Sequence, residues 1–531
     1  MEIHPVTFIA FKEYDNLGVG YLSSVLSEAG YETIVIDFAN GKKEILKILK
    51  NIKPIIVGFS LIFQYHIYEF EELIIYLRKG GIKCHFTAGG QYASLKYEDL
   101  FEIIPSIDSI VRFEGEYTFL NLVNCINTGK DWKNISGIAY KCADRVILNP
   151  VRPVETDLDK FPLPIREPLK EYAFGKKFAT ILAGRGCVNS CSFCSVNEYY
   201  KQSSGPYKRL RSPEKVVEEM ELLYNEMDCS VFLFQDDDFP VKTQNGSEWI
   251  SRFCKELKRK ELTNKIMWKI NCRPDEIDHN SFALMKNFGL FLVFLGIEDG
   301  TDIGLTLLNK HMSIAKCLKG INILKTLKID FDYGFMPFQP STTYLTLKDN
   351  LNFLRGICGD GYTPVTFHKV MPFCATAIEK ELRREGRLKG KPGFQDYDFH
   401  EESMNYYYDF ITDCFMEWLR APDGLLNISK WAKNYLSVFS RFYESQIEIS
   451  ESTKEVMDII SESNIFILET LEELAAMFKE GKYSRDYSDL SNYKRKIKIK
   501  HNLYKEAIKN VVTKLLIFFE FHKQASFIFS L

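Results

Sequence analysis

Three cysteines stand close together in the segment GRGCVNSCSFC. Cys187, Cys191 and Cys194 have the spacing C-x3-C-x2-C, in a loop that begins with Gly184 and Gly186. Three thiolates can bind three corners of a cubane [4Fe–4S] cluster and leave the fourth iron without a protein ligand. An iron with an open position can bind a molecule and pass an electron to it. The spacing therefore predicts an iron–sulfur cluster that acts directly on a bound substrate.

Two other interpretations of the triplet stay open at this point. A zinc site normally has four ligands, and His66, His85 or Cys229 would have to supply the fourth. The three thiols could also be buried residues that bind nothing, although three in so short a span are an unusual accident. The chain has 13 cysteines, and in a reducing cytoplasm we expect them to be thiols or metal ligands and not disulfides.

Charged residues follow three strand-like runs further along the chain. The runs and the residues after them are Val231–Phe234 with Asp236, Asp237 and Asp238, Met267–Asn271 with Arg273, and Leu292–Gly296 with Glu298. Considered alone, the acidic triplet fits a solvated loop, a helix cap or a magnesium site. Glu298 likewise fits a helix cap, and Arg273 fits an ordinary surface ion pair.

Together, the triplet and these strand ends resemble the radical S-adenosylmethionine (SAM) enzymes. Phe193, just before the third cysteine, matches an aromatic residue that lies beside the adenine in that family, and Glu298-Asp299-Gly300 resembles its G-[IV]-E-x-G segment. The resemblance implies a partial (β/α)6 barrel with the cluster at its C-terminal mouth, whereas periodicity alone indicates only repeated β/α units. The SAM contacts that it implies are Phe193, Asp236, Asp237, Asp238, Arg273 and Glu298.

The first 150 residues alternate between strand-like and helix-like segments. Val6–Phe11, Tyr31–Phe38 and Pro54–Leu61 are apolar runs of strand length, and Gly18–Gly30 has helical periodicity. This alternation predicts a doubly wound parallel sheet, which binds ligands beyond the carboxyl ends of its strands. The turns at these ends match no phosphate-binding fingerprint, so by themselves their glycines indicate only tight turns.

A doubly wound domain placed before such a barrel resembles the cobalamin-binding subgroup of radical SAM enzymes. The run Leu17–Leu22 resembles its L-G-x-x-Y-L turn, and Met371–Thr376 resembles its M-P-F-x-A-T segment. The D-x-H-x-x-G motif of mutase-type modules is missing, because Leu17 stands where that motif has the histidine that ligates cobalt. An unligated lower face favours low-valent cobalt that can accept a methyl group from SAM. The cobalamin contacts that the resemblance implies are Asn16, Leu17, Gly18, Ser60, Gly89, Gly90, Glu114 and Gly115.

The predicted fold class is α/β, with a doubly wound Rossmann-like domain, a barrel and a mostly α-helical C-terminal domain. In the last region Phe410, Phe415 and Leu419 fall at helical spacing, and we expect its helices to cap the barrel mouth. The predicted domains are a cobalamin-binding domain at 1–150, a proline-bearing linker at 151–170, the radical SAM barrel at 171–395 and the helical domain at 396–531.

Composition excludes several classes of protein. Of the 531 residues, 46% are hydrophobic and 26% are charged, which is typical of a globular chain and not of a disordered one. Lys and Arg number 68 against 71 Asp and Glu, so no global positive field attracts nucleic acid. The apolar run Leu515–Phe519 is too short for a membrane span, and the N-terminus lacks a secretory signal. We therefore expect a cytoplasmic protein with no nucleic-acid partner.

The resemblance implies that SAM is cleaved to a 5′-deoxyadenosyl radical, which removes hydrogen from an unactivated carbon of a natural-product, peptide or lipid precursor. Methylcobalamin made from a second SAM would then methylate that carbon. Radical cyclisation, ring contraction or oxidation with the same cofactors is the alternative. The expected partners are a small-molecule or peptide substrate and an electron donor such as flavodoxin or ferredoxin. A noncatalytic sensor would not need an open iron, and a methylthiotransferase-like enzyme would need a second cysteine trio.

Overall fold

The computed structural model of the chain describes residues 4–12, 15–242, 246–443, 446–483 and 487–529. The strands are β1 (Val6–Ala10), β2 (Thr33–Asp37), β3 (Ile56–Ser60), β4 (His85–Gly89), β5 (Ser109–Val111), β6 (Ile138–Cys142), β7 (Arg145–Leu148), β8 (Glu171–Ala173), β9 (Lys176–Ile181), β10 (Gly184–Gly186), β11 (Lys208–Leu210), β12 (Cys229–Phe234), β13 (Met267–Cys272), β14 (Leu290–Glu298), β15 (Asp330–Phe335), β16 (Leu388–Lys391) and β17 (Phe394–Tyr397).

Helices separate most of the strands and dominate the end of the chain. They are α1 (Leu17–Glu28), α2 (Gly41–Ile52), α3 (Ile67–Lys79), α4 (Gln91–Leu95), α5 (Tyr97–Ile103), α6 (Glu116–Asn127), α7 (Ser195–Gln202), α8 (Pro213–Met227), α9 (Gly246–Arg259), α10 (His279–Asn287), α11 (Asp302–Leu307), α12 (Ile314–Leu327), α13 (Tyr344–Cys358), α14 (Ala377–Arg384), α15 (Glu402–Arg420), α16 (Leu425–Phe442), α17 (Gln446–Lys479) and α18 (Ser491–Phe529). Within the described part of the chain, none of these helices combines the length and the apolar character of a membrane span.

The chain forms two compact units, and neither unit is continuous in sequence. The first contains Met1–Leu169, Thr180–Glu219 and Met371–Tyr397, and the second contains Lys170–Ala179, Met220–Val370 and Asp398–Leu531. The four successive domain ranges inferred from the sequence stay a prediction.

The first unit is built on a sheet with the strand order β2-β1-β3-β4-β5-β6-β7. Strands β1 to β5 pair in parallel, and β6 and β7 add an antiparallel hairpin. One core packs α2, α3 and α5 on one face through residues such as Leu49 and Phe70, and another core packs α1 and α6 through Val19 and Phe119. A parallel sheet with helices on both faces is the predicted doubly wound arrangement.

The segment Met371–Tyr397 belongs to this unit although it is distant in sequence. Cys374 and Ala375 are buried in the same core as α3, and the Cys374 N–H donates to Gln64 Oε1 at 2.8 Å. Lys96 and Glu379 form a partly buried ion pair at 3.3 Å. The segment therefore completes the hydrophobic core on this face of the sheet.

The second unit contains an open sheet with the strand order β15-β14-β13-β12-β9-β8. Strands β12 to β15 are all parallel, and the helices between them include α9, α10 and α12. Trp268 is fully buried on one face of β13, where its ring contacts Phe234 and Phe253. Repeated β/α units that form an open sheet of this kind make a half-barrel, which agrees with the predicted class.

The C-terminal helices pack against the half-barrel within the second unit. Lys433 on α16 pairs with Asp330 on β15 at 2.7 Å, and Ser437 donates to the same carboxylate at 2.9 Å. Asn464 on α17 is fully buried and donates to the carbonyls of Cys358 and Thr363. The predicted mostly α-helical character of residues 396–531 is confirmed over the described residues.

Candidate functional site

The cysteine loop lies in the first unit, between β10 and α7. Cys187 directly follows β10, and Cys194 directly precedes α7, whose N-terminal end favours negative charge on a thiolate. All three thiols are partly exposed. The Cys194 N–H donates to the Cys191 carbonyl at 3.2 Å, so a turn closes between the second and third cysteines.

Asn189 is a site residue that the sequence analysis did not single out. Its backbone N–H and its Nδ2 donate to Cys187 Sγ at 3.4 and 3.3 Å, and Asn197 Nδ2 holds its carbonyl at 2.8 Å. Donors directed at a sulfur favour the thiolate and tune the reduction potential of a cluster bound there. An asparagine between two cysteines is too common to have been diagnostic in the sequence.

Two glycines determine where the loop leaves the β10–β11 hairpin. Gly186 has φ +85°, and a Cβ on it would lie 1.8 Å from the Tyr207 carbonyl oxygen. A Cβ on Gly184 would lie 2.4 Å from the Arg209 carbonyl oxygen. Only glycine permits such a close approach of the two strands, so the residues just before Cys187 are fixed by packing.

The cysteine loop is also held on its other side. The Ser192 carbonyl accepts the Ile378 N–H at 3.2 Å, which ties the loop to the Met371–Tyr397 segment. Phe193, the predicted adenine neighbour, is partly exposed beside it. Three thiols on one short, anchored loop, with donors on the first of them, fit the ligand set of a cubane cluster that keeps one iron open. Across the described ranges, no three His, Cys, Asp or Glu side chains are grouped as ligands of a single metal ion.

The acidic triplet follows β12 in the second unit. Asp236 and Asp238 are buried, whereas Asp237 is exposed. The Asp236 carbonyl accepts Asn271 Nδ2 at 3.1 Å, so the triplet is attached to the end of the neighbouring strand β13. Two buried carboxylates at the carboxyl end of a parallel strand lie where α/β folds bind ligands.

Arg273, at the end of β13, is held in a network of its own. Its Nε donates to Asp275 Oδ1 at 2.9 Å, and its Nη2 donates to the Lys310 carbonyl at 2.5 Å. The side chain is 8% exposed. These contacts support the segment after β13, and a role of Arg273 toward SAM stays a prediction.

Glu298 ends β14 in an uncommon conformation. Its φ is +72°, and the pairing of β14 with β15 shifts register between Gly296 and Glu298. Its Oε1 lies 3.6 Å from Lys310 Nζ, and a Cβ on Gly296 or Gly334 would come within 3.0 to 3.1 Å of its carboxylate. Non-glycine residues with positive φ cluster at functional sites. The carboxylate therefore occupies a cradle that two glycines keep open.

Burial raises the pKa of the Glu298 carboxyl, and the Lys310 ammonium opposes that rise. We expect Lys310→Met to lower the unfolding free energy by about 1.5–3 kcal/mol near neutral pH, because a charged hydrogen-bond partner is lost. The contribution of a carboxyl with a raised pKa to the stability of the fold is complete below its unfolded-state pKa. This contribution is lost as the pH rises through the folded-state pKa, where the buried carboxyl becomes charged. The loss should therefore be larger at pH 8 than at pH 5 in urea denaturation. The exposed Lys319→Met is the control, and a pH-independent difference would contradict the coupling.

The predicted cobalamin residues come together at one edge of the first unit's sheet. Asn16 caps α1 just after β1, with its Oδ1 accepting the Val19 N–H at 3.2 Å. Ser60 ends β3, Gly89 ends β4, and Gly90 directly follows β4. Because β1, β3, β4 and β5 are parallel, their carboxyl ends lie along the same edge. Contact of each of these residues with cobalamin stays a prediction.

Gly90 is the most constrained of these residues. It has φ +110°, and a Cβ there would lie 2.5 Å from the Leu61 carbonyl oxygen. We expect Gly90→Ala to reduce cobalamin affinity at least about tenfold. The added methyl group must displace the Leu61 carbonyl, and a loss of about 1.4 kcal/mol of binding free energy is a tenfold loss of affinity. Gly30→Ala is the matched control, because Gly30 has φ +85° and no described residue comes within 4 Å of its Cβ position. Equal cobalamin affinities of the two variants, measured by equilibrium dialysis, would contradict this prediction.

Glu114 has a structural role that the sequence analysis missed. Its carboxylate accepts both terminal nitrogens of Arg209, one of them at 3.0 Å. Arg185, two residues before Cys187, lies 3.7 Å from Glu114 and 2.8 Å from Glu116. Bidentate Arg–carboxylate pairs fix geometry, so the turn after β5 anchors the hairpin that carries the cysteine loop. Arg185 and Arg209 are about 70 and 95 residues from Glu114 in sequence, so no local sequence pattern predicts these ion pairs.

Among the described residues of the first unit, His66 is the one histidine at the carboxyl edge of the sheet. Its Nδ1 lies 2.8 Å from Glu69 Oε2, and its ring packs on Phe11. His85 instead begins β4, at the opposite end of the strand, and its Nε2 lies 2.8 Å from Ser109 Oγ. The turn after β1, where mutase-type modules carry their histidine, holds the Asn16 cap.

Two family models match separate parts of the chain. The one described as "B12 binding domain" matches residues 5–123, and the one described as "Radical SAM superfamily" matches residues 181–354. The first covers the doubly wound sheet, and the second covers the cysteine loop and strands β12 to β15.

The relatives of this chain include proteins named as cyclases and as methyltransferases. Anaerobic magnesium-protoporphyrin IX monomethyl ester cyclases of Rubrivivax gelatinosus and Cereibacter sphaeroides are 29% and 28% identical, over 64% and 62% of this chain. The chain spans only 61% and 55% of the length of these two relatives. An uncharacterized methyltransferase of Pyrococcus horikoshii is 27% identical over 64% of this chain and 72% of its own length.

A solved structure shares the fold of nearly the whole chain. The cobalamin-dependent SAM radical enzyme OxsB, with aqua-cobalamin and SAM bound, aligns with a TM-score of 0.66 at 19% identity, over 94% of this chain and 84% of that one. The two family models thus identify a B12-binding domain and a radical SAM domain within one chain. The cysteine triplet lies within the radical SAM match. The chain belongs to the cobalamin-binding radical SAM enzymes, whose cofactors are a [4Fe–4S] cluster, SAM and cobalamin.

Proposed function

We propose that this enzyme C-methylates an unactivated carbon of a natural-product, peptide or lipid precursor. The observation that carries the proposal is the turn after β1, in which Asn16 caps α1 and no histidine is offered to cobalt. Axial donors set the potential and reactivity of a metal cofactor. A cobalt without a donor from this turn favours the low-valent form that accepts a methyl group.

The three cysteines Cys187, Cys191 and Cys194 hold the cluster in this proposal, and Asn189 tunes it through Cys187 Sγ. The residues that bind and orient SAM are Phe193, Asp236, Asp237, Asp238, Arg273 and Glu298. The buried carboxylates among them suit the methionyl amine and ribose hydroxyls, which are hydrogen-bond donors. When bound, the cluster, SAM and cobalamin supply a radical that removes a hydrogen atom and a methyl group that replaces it.

The edge residues of the first unit bind cobalamin in this proposal. Asn16, Leu17, Gly18 and Ser60 line the turns after β1 and β3, and Gly89 and Gly90 let the backbone approach the corrin closely. Glu114 and Gly115 contribute through the backbone, because the Glu114 carboxylate is engaged by Arg209. No side-chain acid, base or nucleophile is assigned, since the cofactors carry the bond-making steps.

The test requires no substrate. We would reconstitute the protein anaerobically with iron and sulfide, add reductant and SAM with or without cobalamin, and quantify 5′-deoxyadenosine and S-adenosylhomocysteine by mass spectrometry. Both products, with the second dependent on cobalamin, are the expected result. 5′-Deoxyadenosine alone from cobalamin-loaded protein would overturn methylation in favour of radical cyclisation, ring contraction or oxidation, the kind of reaction for which the Rubrivivax relative is named. Flavodoxin or ferredoxin is the proposed physiological electron donor, and each can replace the reductant in the same assay.

A further inference from the structure

Four side chains, which include a lysine and an aspartate, form a row across one face of the half-barrel sheet in the second unit. They are Lys269, Asn271, Phe294 and Asp332. Lys269 lies in the middle of β13, and Asn271 follows it on the same face because strand side chains alternate. Asn271 pairs in register with Phe294 on β14, and Phe294 pairs with Asp332 on β15. Parallel strands buried on both faces are usually almost entirely apolar, so this row is not explained by packing.

Lys269 is a partly buried cation that forms no ion pair within 4 Å among the described residues. Its Nζ donates to Asn271 Oδ1 at 2.6 Å, which is a neutral acceptor. Asp332 and Asp236 attract it over longer distances, and Lys430 repels it. Burial lowers the pKa of Lys269 to about 8. A buried ammonium group costs free energy unless an anion compensates it.

The helical region adds further positive charge around the row. Lys430 on α16 lies 3.7 Å from Asp332 Oδ2, so the one carboxylate of the row is shared between two ammonium groups. Arg420 at the end of α15 and Lys430 both act electrostatically on His368. Burial lowers the pKa of His368 to about 4, so His368 is neutral near pH 7. Within this face of the sheet, the ammonium groups of Lys269 and Lys430 therefore share the carboxylate of Asp332, and Asp236 attracts Lys269 from further away.

An apolar surface lies next to this charge. The Phe294 side chain is 36% exposed although its strand is in the middle of the sheet, and its ring centre lies 5.8 Å from Lys269 Nζ. Gly296 and Gly334, which pair in register, follow on the same face and leave it open as far as Glu298. Strand geometry puts Phe294 about 13 Å from Glu298, which is the length of a small organic molecule.

We propose that the substrate carries an oxyanion, a carboxylate or a phosphate, that Lys269 and Lys430 bind, with its carbon skeleton on Phe294 and directed toward Glu298. The proposal rests on the proposed function, because it assigns Glu298 to the SAM end of the same face. Asp332 then acts as a positioning residue that holds the two ammonium groups near each other. Neutral substrates are disfavoured, since they would leave two ammonium groups to share the Asp332 carboxylate.

The test measures the reactivity of Lys269 in the reconstituted, cobalamin-loaded protein. Trace acetic anhydride at pH 7 acetylates only unprotonated amines, and peptide mass spectrometry quantifies each lysine. Sodium acetate and sodium phosphate are compared with sodium chloride at equal ionic strength. An adjacent anion should raise the pKa of Lys269 by about one unit and so slow its acetylation about tenfold. Protection by acetate alone indicates a carboxylate substrate, and protection by phosphate alone indicates a phosphate.

The exposed Lys319 is an internal control and should react equally in all three salts. Lys430→Met should remove most of the protection while leaving the cluster and cobalamin spectra unchanged. Unchanged acetylation of Lys269 in both acetate and phosphate would overturn the proposal. Full protection by SAM alone would also overturn it, because the methionyl carboxylate would then be the anion. Neither result depends on turnover, so failure here is distinct from failure to form 5′-deoxyadenosine or S-adenosylhomocysteine.

Discussion

Cys191→Ala is expected to lose the cluster and, with it, all cleavage of SAM. Two remaining thiolates, Cys187 and Cys194, cannot hold three corners of a cubane, and Cys191 also supplies the carbonyl of the turn that leads to Cys194. Iron content after anaerobic reconstitution should fall to background, and 5′-deoxyadenosine should fall to the level of a reaction without enzyme. Iron and acid-labile sulfide assays and mass spectrometry measure the two effects.

Cys142→Ala is the matched control for this prediction, because Cys142 is an exposed cysteine on the β6–β7 hairpin of the same unit. It should keep the iron content and the SAM cleavage of the natural chain. If Cys191→Ala retained about four irons per chain together with SAM cleavage, the assignment of the cluster to this triplet would be wrong.

Arg166→Met is expected to destabilise the first unit strongly. Arg166 is buried between Asp15, beside the α1 cap, and Glu219 on α8, where its Nη2 lies 2.5 Å from Oε1. Removing the guanidinium leaves two largely buried carboxylates, with Arg211 as the remaining cation beside Glu219. Breaking a buried pair in this way costs about 3–5 kcal/mol, which urea denaturation followed by circular dichroism would detect.

Lys160→Met provides the comparison, because Lys160 lies in the same stretch and pairs with Glu155 while 59% exposed. Surface pairs are worth about 0–1 kcal/mol, so this variant should unfold at almost the natural urea concentration. Equal stabilities of the two variants would show that the Asp15–Arg166–Glu219 network does not hold the β1–α1 turn. The Arg166 variant should also bind cobalamin more weakly, because Asp15 directly precedes Asn16.

The elements of the fold were predictable where the signal is local. The run Val6–Phe11 corresponds to β1, and Val231–Phe234 lies within β12, because a continuous apolar run of this length is buried on both faces of a parallel sheet. The cysteine spacing was equally local, since three ligands of one cluster are contributed by a single loop. The helical spacing of Phe410, Phe415 and Leu419 likewise predicted α15.

The rest of the site depends on contacts that have no local signature. The carboxylate of Glu114 is bound by Arg209, 95 residues later, while its contact with cobalamin stays a prediction. The positive φ of Glu298 arises from a register shift between β14 and β15, which sequence periodicity does not encode. Lys269 was not singled out, because one lysine within a strand-like run carries no signal until the register pairs its neighbour Asn271 with Phe294, and Phe294 with Asp332.

The discontinuity of the first unit has a consequence for biosynthesis. Its sheet is translated by residue 148, whereas Cys374 and Ala375, which complete the core beside α3, come more than 200 residues later. At about 5–20 residues per second, a ribosome takes roughly 10–40 s to supply them. During that interval Gln64 lacks its bond to the Cys374 N–H, and apolar surface next to α3 stays open to solvent or chaperones. A fragment that ends at residue 169 would always lack Cys374 and Ala375. Its apolar surface next to α3 would stay exposed, so this fragment should be prone to aggregate.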